Sequence, residues 1–284
     1  GRPMNAPLRR AVIPAAGLGT RMRAVDPLQP KELLPVAGRP LLLHALEEAV
    51  LAGCNEAVVV IRPGKEDLRR LVEDPAFARR EFPAAASDLA RVLARLAVEF
   101  VYQELPRGEC DAILAAREFL GDEPFAVAYP DNLPRPPGAL ALACEAMART
   151  GLDATALMAV DEHAAPTLSA SGRVDLTPRP DGLFAVERFH PKQPGVFTPR
   201  FAGELRTCGL YAALPHYLDF IEKAAAKYWS HDPRVELTDG KVRRLMLAEG
   251  VCFVGAPVSG TVLDAGTPAG YARCRDLFEG RQRH

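Results

Sequence analysis

The residue types best suited to chemistry sit near the start of the chain. In AVIPAAGLGTRMR, residues 11–23, an apolar run of Ala11, Val12 and Ile13 ends at Pro14 and opens into Gly17-Leu18-Gly19-Thr20. A strand running into such a turn delivers backbone N–H groups to a phosphate, and glycine lets the backbone come close because it has no Cβ. Arg21 follows at once, and Pro30-Lys31-Glu32 comes ten residues later. Arginine offers phosphate oxygens a planar fork and lysine a mobile point charge. Three phosphates compete for such a loop: the linker of a dinucleotide cofactor, ATP on a P-loop, or a nucleotide about to be cut. A dinucleotide loop needs G-x-G-x-x-G, its third glycine letting a helix pack close. A P-loop needs G-x-x-x-x-G-K-[ST]. In both registers the required glycine is Met22, and Pro27 and Pro30 discourage a helix there. A nucleotide held as substrate and a purely structural turn remain.

The surrounding pattern is that of an α/β protein. Residues 10–16 read as a buried strand. PLLLHALEEAVLAG (40–53) has apolar residues at helical spacing, Pro at its start and Gly at its end. AVVVI (57–61) suits a strand covered on both faces. This β-α-β order predicts a parallel sheet. Helices are expected at 66–73, 86–97, 111–120 and 138–150, and strands at 98–103, 124–132 and 154–160. In the second half, 171–189 reads as two strands around a Pro-Asp-Gly turn. TCGLYAAL (207–214) reads as a strand, and 216–228 and 242–250 as helices. VCFVGAPV and TVLDAG are expected to complete the sheet. The expected architecture is a Rossmann-like, mostly parallel central sheet flanked by helices. Residues 10–284 form one domain with a lobe at about 160–235, after a tail at 1–9.

Composition narrows the function classes. The 284 residues carry a net charge of −1, with 48% hydrophobic and 7% aromatic residues. Neither a basic balance nor a stacking platform for nucleic acid is visible. No apolar run approaches the ~20 residues that span a bilayer, and the first ten residues hold no signal-peptide core. A cytoplasmic protein is expected, with no nucleic-acid or membrane partner. The six cysteines form no C-x-x-C pair, which points to buried thiols. Lysine fills only six of 35 basic positions, so Lys31 and Lys192 stand out.

The stretch AAGLGTRM…QPKELLPVAGRPLL resembles the signature of the sugar-1-phosphate nucleotidyltransferases, most closely the bacterial UTP–glucose-1-phosphate uridylyltransferases. The spacing from Gly17 to Lys31 agrees without a gap. The resemblance implies that a sugar-1-phosphate oxygen attacks the α-phosphorus of UTP or dTTP and pyrophosphate leaves. It implies nucleotide contacts from Ala15, Ala16, Gly17, Gly19 and Thr20, with Arg21 and Lys31 as the catalytic cations. QELPRGECDAIL (103–114) matches the family's base-reading stretch at Gln103 and Gly108, with Cys110 in place of a second glycine. Asp131, ending FAVAYPDN, and Asp264, in TVLDAGTPAGY, match the family's Mg²⁺-binding places. Mg²⁺ takes few carboxylates beside phosphate oxygens and water.

The resemblance thins at the sugar end. AVERFHPK (185–192) is similar to V-E-K-P. It implies Glu187 for sugar hydroxyls and Arg188, with Lys192 close by, for the sugar phosphate. RVELTDG (234–240) is similar to E-I-Q-L-T-D, with Arg234 at an acidic position. Glucose 1-phosphate is the leading acceptor. A thymidylyltransferase, another sugar or non-sugar phosphate, and a non-catalytic nucleotide-sugar binder remain open. Members of the family often form homo-oligomers.

Overall fold

The structure is a computed structural model and describes residues 8–280; residues 1–7 of the expected tail lie outside it. In chain order the strands are β1 (Arg10–Pro14), β2 (Pro35–Val36), β3 (Arg39–Pro40), β4 (Glu56–Ile61), β5 (Ala97–Tyr102), β6 (Phe125–Ala128) and β7 (Asn132–Arg135). They continue with β8 (Asp153–Ala159), β9 (Val174–Pro178), β10 (Phe184–Phe189), β11 (Leu205–Ala213), β12 (Phe253–Pro257) and β13 (Thr261–Asp264). The helices are α1 (Leu41–Leu51), α2 (Glu66–Glu73), α3 (Pro75–Glu81), α4 (Ala86–Leu93) and α5 (Glu109–Ala115). After them come α6 (Arg117–Leu120), α7 (Ala139–Thr150), α8 (His216–Trp229), α9 (Asp239–Ala248) and α10 (Pro268–Phe278).

Nine strands form one sheet in the order β5-β4-β1-β6-β11-β8-β12-β10-β9. Only β11 and β10 run against the rest, so the sheet is mixed and mostly parallel, as expected. Strand periodicity of two divides the core between its faces. Ala11 and Ile13 pack with Ala57, Val59 and Ile61 on the α1 side, whereas Val12 packs with Val58 and Val60 toward α5 and α8. The strands β9 and β10 of the expected lobe extend this same sheet at its edge.

Helix ends follow their local chemistry. Asp74 caps α3 by accepting from the Ala76 and Phe77 amides, and Thr267 caps α10 by accepting from Gly270. The buried Glu48 of α1 accepts from the Gly138 and Leu140 amides and so caps α7 from outside its own segment.

The structure corrects three expectations. The helix expected over 111–120 is two helices, broken at Ala116 (φ −91°, ψ 6°). TVLDAG does not join the large sheet. As β13 it pairs antiparallel with β7 in a separate two-stranded sheet, Asp264 opposite Asn132. FAVAYPDN cannot run on as one strand, because Pro130 has no N–H to donate. The chain leaves the large sheet after Ala128 and β7 starts the small one. That change of sheet brings the two aspartate segments together.

Candidate active site

The glycine loop leaves β1 at the C-terminal ends of parallel strands, where ligands of open α/β sheets bind. After Gly19 (φ 62°) the chain makes a 3₁₀ turn over Thr20–Ala24 and not an α-helix. A second 3₁₀ turn, Lys31–Leu33, follows. The Lys31 stem packs over Gly19, within 3.7 Å of where a Cβ would stand. Beneath them lies a buried ion pair. Lys65 Nζ donates to both Glu32 carboxylate oxygens at 3.0 Å and to the Ala15 carbonyl at 2.9 Å. Glu32 is 1% exposed, so this pair ties the Lys31 turn to the root of the loop.

One cavity of about 790 Å³ gathers most of the expected residues. Its walls include Ala16, Gly17, Gly19, Thr20, Arg21 and Lys31 from the loop region. Gln103 and Gly108 line it too, as do Asp131, Asp264 and Lys192. Three expected residues fall outside the lining. Ala15 spends its N–H on Val60 O, and its carbonyl accepts from Lys65, so no backbone donor is left for a phosphate. Glu187 and Arg188 are both exposed on β10 and do not line the cavity, whereas the next residues, Phe189 and His190, do. A β-bulge between Val186 and Arg188 breaks the alternation there, so two successive residues face outward.

The two aspartates converge above Gly266. A Cβ on that glycine would lie 2.6 Å from Asp131 Oδ2 and 3.0 Å from Asp264 Oδ1. Asp264 Oδ1 also accepts from the Gly266 amide at 2.8 Å. Burial, and then repulsion from Asp131, push the Asp264 carboxyl above the ordinary range. Lys31 Nζ donates to Asp131 Oδ2 at 3.2 Å. The Asp131 charge is the chief cause of a raised Lys31 pKa, so the ammonium keeps its charge. Two close carboxylates, one destabilised by the other, are short of positive charge. Among the described residues no cluster of three or more His, Cys, Asp or Glu forms a metal cage. A pair of carboxylates completed by phosphate oxygens and water is the mode Mg²⁺ prefers, and the donors present fit it.

At one end of the cavity, Gln103 Nε2 donates to Asp111 Oδ2 at 2.7 Å and to Gly108 O at 3.2 Å. The amide orientation is thereby set, and its Oε1 is the acceptor left over. Gly108 (φ 98°) lies so close to Leu237 that a Cβ would stand 2.5 Å from its carbonyl oxygen. Cys110 does not crowd this end. It is wholly buried and points away, its Sγ 3.4 Å from both Tyr217 Oη and Asp239 Oδ1.

Beside Gly108 and Leu237 the cavity holds residues the motifs did not single out. Asp239 Oδ1 accepts from the hydroxyls of Tyr129 (2.9 Å), Tyr211 (2.8 Å) and Tyr217 (3.0 Å). The Asp239 amide donates to Glu109 Oε1 at 3.0 Å. Burial and the Asp239 charge push the Glu109 carboxyl up to about 7. Arg243 lies over the Tyr211 ring, 4.0 Å from its centroid. Arg206, inside the apolar strand β11, also lines the cavity. A charged residue within such a strand is the sequence signal that could have found it, because charges are rarely buried without a task. Arg234 is exposed, pairs with Asp232 and stands outside the lining.

A family model described as the MobA-like NTP transferase domain matches residues 11–214. The chain belongs to that family. Its nucleotidyltransferase character therefore rests on more than the loop. The UTP–glucose-1-phosphate uridylyltransferase of Streptococcus pneumoniae serotype 4 is 29% identical over 233 residues, 78% of this chain and 76% of that protein. UTP–glucose-1-phosphate uridylyltransferase 1 of Staphylococcus saprophyticus is 29% identical over 281 residues, 95% of this chain and 92% of that one. An apo UDP-glucose pyrophosphorylase superposes with a TM-score of 0.80 at 21% identity, covering 97% of this chain and 99% of its own. A UDP-glucose complex of such an enzyme gives 0.77, also at 21%, covering 97% and 100%. At this identity the solved structures establish a common fold. No helix among the described residues is long and apolar enough to cross a membrane.

Proposed function

We propose that this nucleotidyltransferase joins UTP to glucose 1-phosphate, giving UDP-glucose and pyrophosphate. The observation that carries this reading is the cavity wall on which loop 17–21, Lys31 and the Asp131–Asp264 pair meet. The named activity of the curated relatives supports the choice of substrates.

An oxygen of the sugar phosphate attacks the α-phosphorus, and the bond to the pyrophosphate oxygen breaks. Charge spreads over the phosphoryl oxygens, so catalysis consists mainly of positioning and neutralisation. The Gly17–Thr20 backbone lies against the triphosphate and Arg21 clamps it. Lys31, kept protonated by Asp131, places its charge beside the α-phosphate. Mg²⁺ would be held by Asp131 and Asp264 and would neutralise phosphate oxygens. Gln103 reads the base: its free Oε1 accepts the N3–H of uracil, a proton that cytosine lacks. Asp239 and Glu109 supply acceptors for sugar hydroxyls in place of the outward-facing Glu187.

The test is pyrophosphate release from UTP, glucose 1-phosphate and Mg²⁺, with dTTP and CTP as competitors. Release with UTP, weak inhibition by CTP and loss of turnover in EDTA are the expected results. Nucleotide-sugar binding without turnover for any sugar 1-phosphate would leave a binding protein and overturn the reading.

A further inference from the structure

The acceptor end contains a cation that no assigned role uses. Arg206 is 6% exposed and lines the cavity. Its Nε donates to the Thr207 carbonyl at 3.2 Å and its Nη1 to the Ser169 carbonyl at 3.0 Å. The guanidinium lies 5.2 Å from the Phe197 ring centroid. Among the described residues no carboxylate comes within ion-pair distance of it, and its hydrogen bonds are those two, from Nε and Nη1. Two neighbouring arginines, by contrast, are paired. Arg173 and Arg200 share the buried Glu204. Keeping a guanidinium this deep without a counter-charge costs free energy, and two carbonyl contacts offset only part of it.

Placement says which anion would complete the site. Gly172 (φ 78°) packs against this residue, a Cβ there standing 2.8 Å from Thr207 O and 3.3 Å from Arg206 Nε. The segment 169–172 is thus wrapped onto the strand and fixes the guanidinium plane. Burial pulls the Arg206 pKa down, and the main charge opposing that shift is Asp264. Arg206 and Asp264 line the same cavity, within which the attacking phosphate must stand to reach the α-phosphorus. Meanwhile Arg188, the cation expected to hold that phosphate, is exposed on the far side of the β10 bulge.

We infer that Arg206 binds the phosphate of the sugar 1-phosphate, taking the place of the outward-facing Arg188. The statement rests on the nucleotidyl-transfer reading above. A fixed, desolvated guanidinium with free N–H groups matches phosphate geometry better than a flexible lysine does. Two contacts already spent on carbonyls mean the fork is oriented before substrate arrives. Lys192, exposed at the cavity mouth and without an ion pair among the described residues, adds a screened charge.

The test separates the two substrates. Initial rates of pyrophosphate release are measured for the wild type, Arg206→Gln and Arg206→Lys, varying UTP and glucose 1-phosphate independently. Arg206→Gln is expected to raise KM for the sugar phosphate about 10–100-fold, the range for losing a charge-assisted pair. KM for UTP should stay within about threefold, and Arg206→Lys should recover part of the loss. If Arg206→Gln fails to fold, Arg206→Lys alone should raise the sugar-phosphate KM about fivefold. An unchanged sugar-phosphate KM in the folded variant, or equal rises for both substrates, overturns the inference alone. A wild type that turns over no sugar 1-phosphate overturns it together with the reading it rests on.

Discussion

The two ends of the cavity are built differently. At the triphosphate end, the working residues lie within one stretch, Gly17 to Lys31, and at two short strands that pair with each other, Asp131 just before β7 and Asp264 at the end of β13. At the acceptor end they come from five segments: 106–112, 169–173, 189–192, 206–209 and 236–244. The first end depends on backbone geometry and close approach, which demand particular residues at fixed spacing. The second depends on where side chains point after bulges and crossings, which spacing alone does not determine. Breaking each end in turn should show whether this difference is real.

The largest effect is expected at the aspartates. Asp131→Ala or Asp264→Ala should lower kcat about 10³-fold, the scale for losing a main charge-stabilising group. The fold should not suffer. Asp264 sits in a buried site where Asp131 repels it, so Asp264→Asn should melt no lower than wild type in EDTA. A thermal melt beside the pyrophosphate assay checks both halves. Retained turnover would remove the pair from the chemistry. A large fall in melting temperature would make it a structural feature.

Next comes the ion pair under the loop. Lys65→Met leaves Glu32 buried without its partner and should destabilise the protein by about 3–5 kcal/mol in urea unfolding. Lys65→Met with Glu32→Leu should regain much of that stability, since the uncompensated charge is gone. Activity should not return with it, because Lys31 and Ala15 lose their common tie. If the double variant regains both, the pair does not position the triphosphate end.

At the acceptor end the expected effects are smaller and reverse the order of the motif. Lys192→Ala should raise KM for the sugar phosphate about three- to fivefold, the scale of an exposed charge. Glu187→Ala and Arg188→Ala should change it less than about twofold, since neither reaches the cavity. Steady-state rates at fixed UTP decide it. A larger effect for Arg188 would mean that β10 turns when substrate binds.

These contrasts explain what the sequence could show. The apolar run of β1, the helical spacing of α1 and the β-branched run of β4 each carry their periodicity locally, so the central architecture was legible. Lys31 and Asp131 were found as members of spaced motifs, yet their 3.2 Å contact depends on a change of sheet after Ala128 and on the pairing of β7 with the distant β13, which local periodicity does not announce. Glu187 and Arg188 fall outside the lining where one bulge breaks the alternation of a strand. Ala15 looked free because its two backbone partners, Val60 and Lys65, are about fifty residues away. Asp239 lay in a noticed stretch, but its three tyrosine donors come from β6–β7, β11 and α8, and only the folded chain assembles them.

The smallest effect concerns pH. Glu109 bonds the Asp239 amide, and burial with the Asp239 charge raises its carboxyl to about 7. In the unfolded chain the group returns to its ordinary value near 4.5. Between about 4.5 and 7 the folded state therefore binds more protons than the unfolded one, and stability contributed by this site is lost as pH rises through that window. Glu109→Gln keeps an acceptor for the amide and removes the titration. Its melting temperature should exceed wild type at pH 8, by the equivalent of on the order of 1 kcal/mol, and approach it at pH 5. A gain of equal size at both pH values would show that the carboxyl does not titrate in this window.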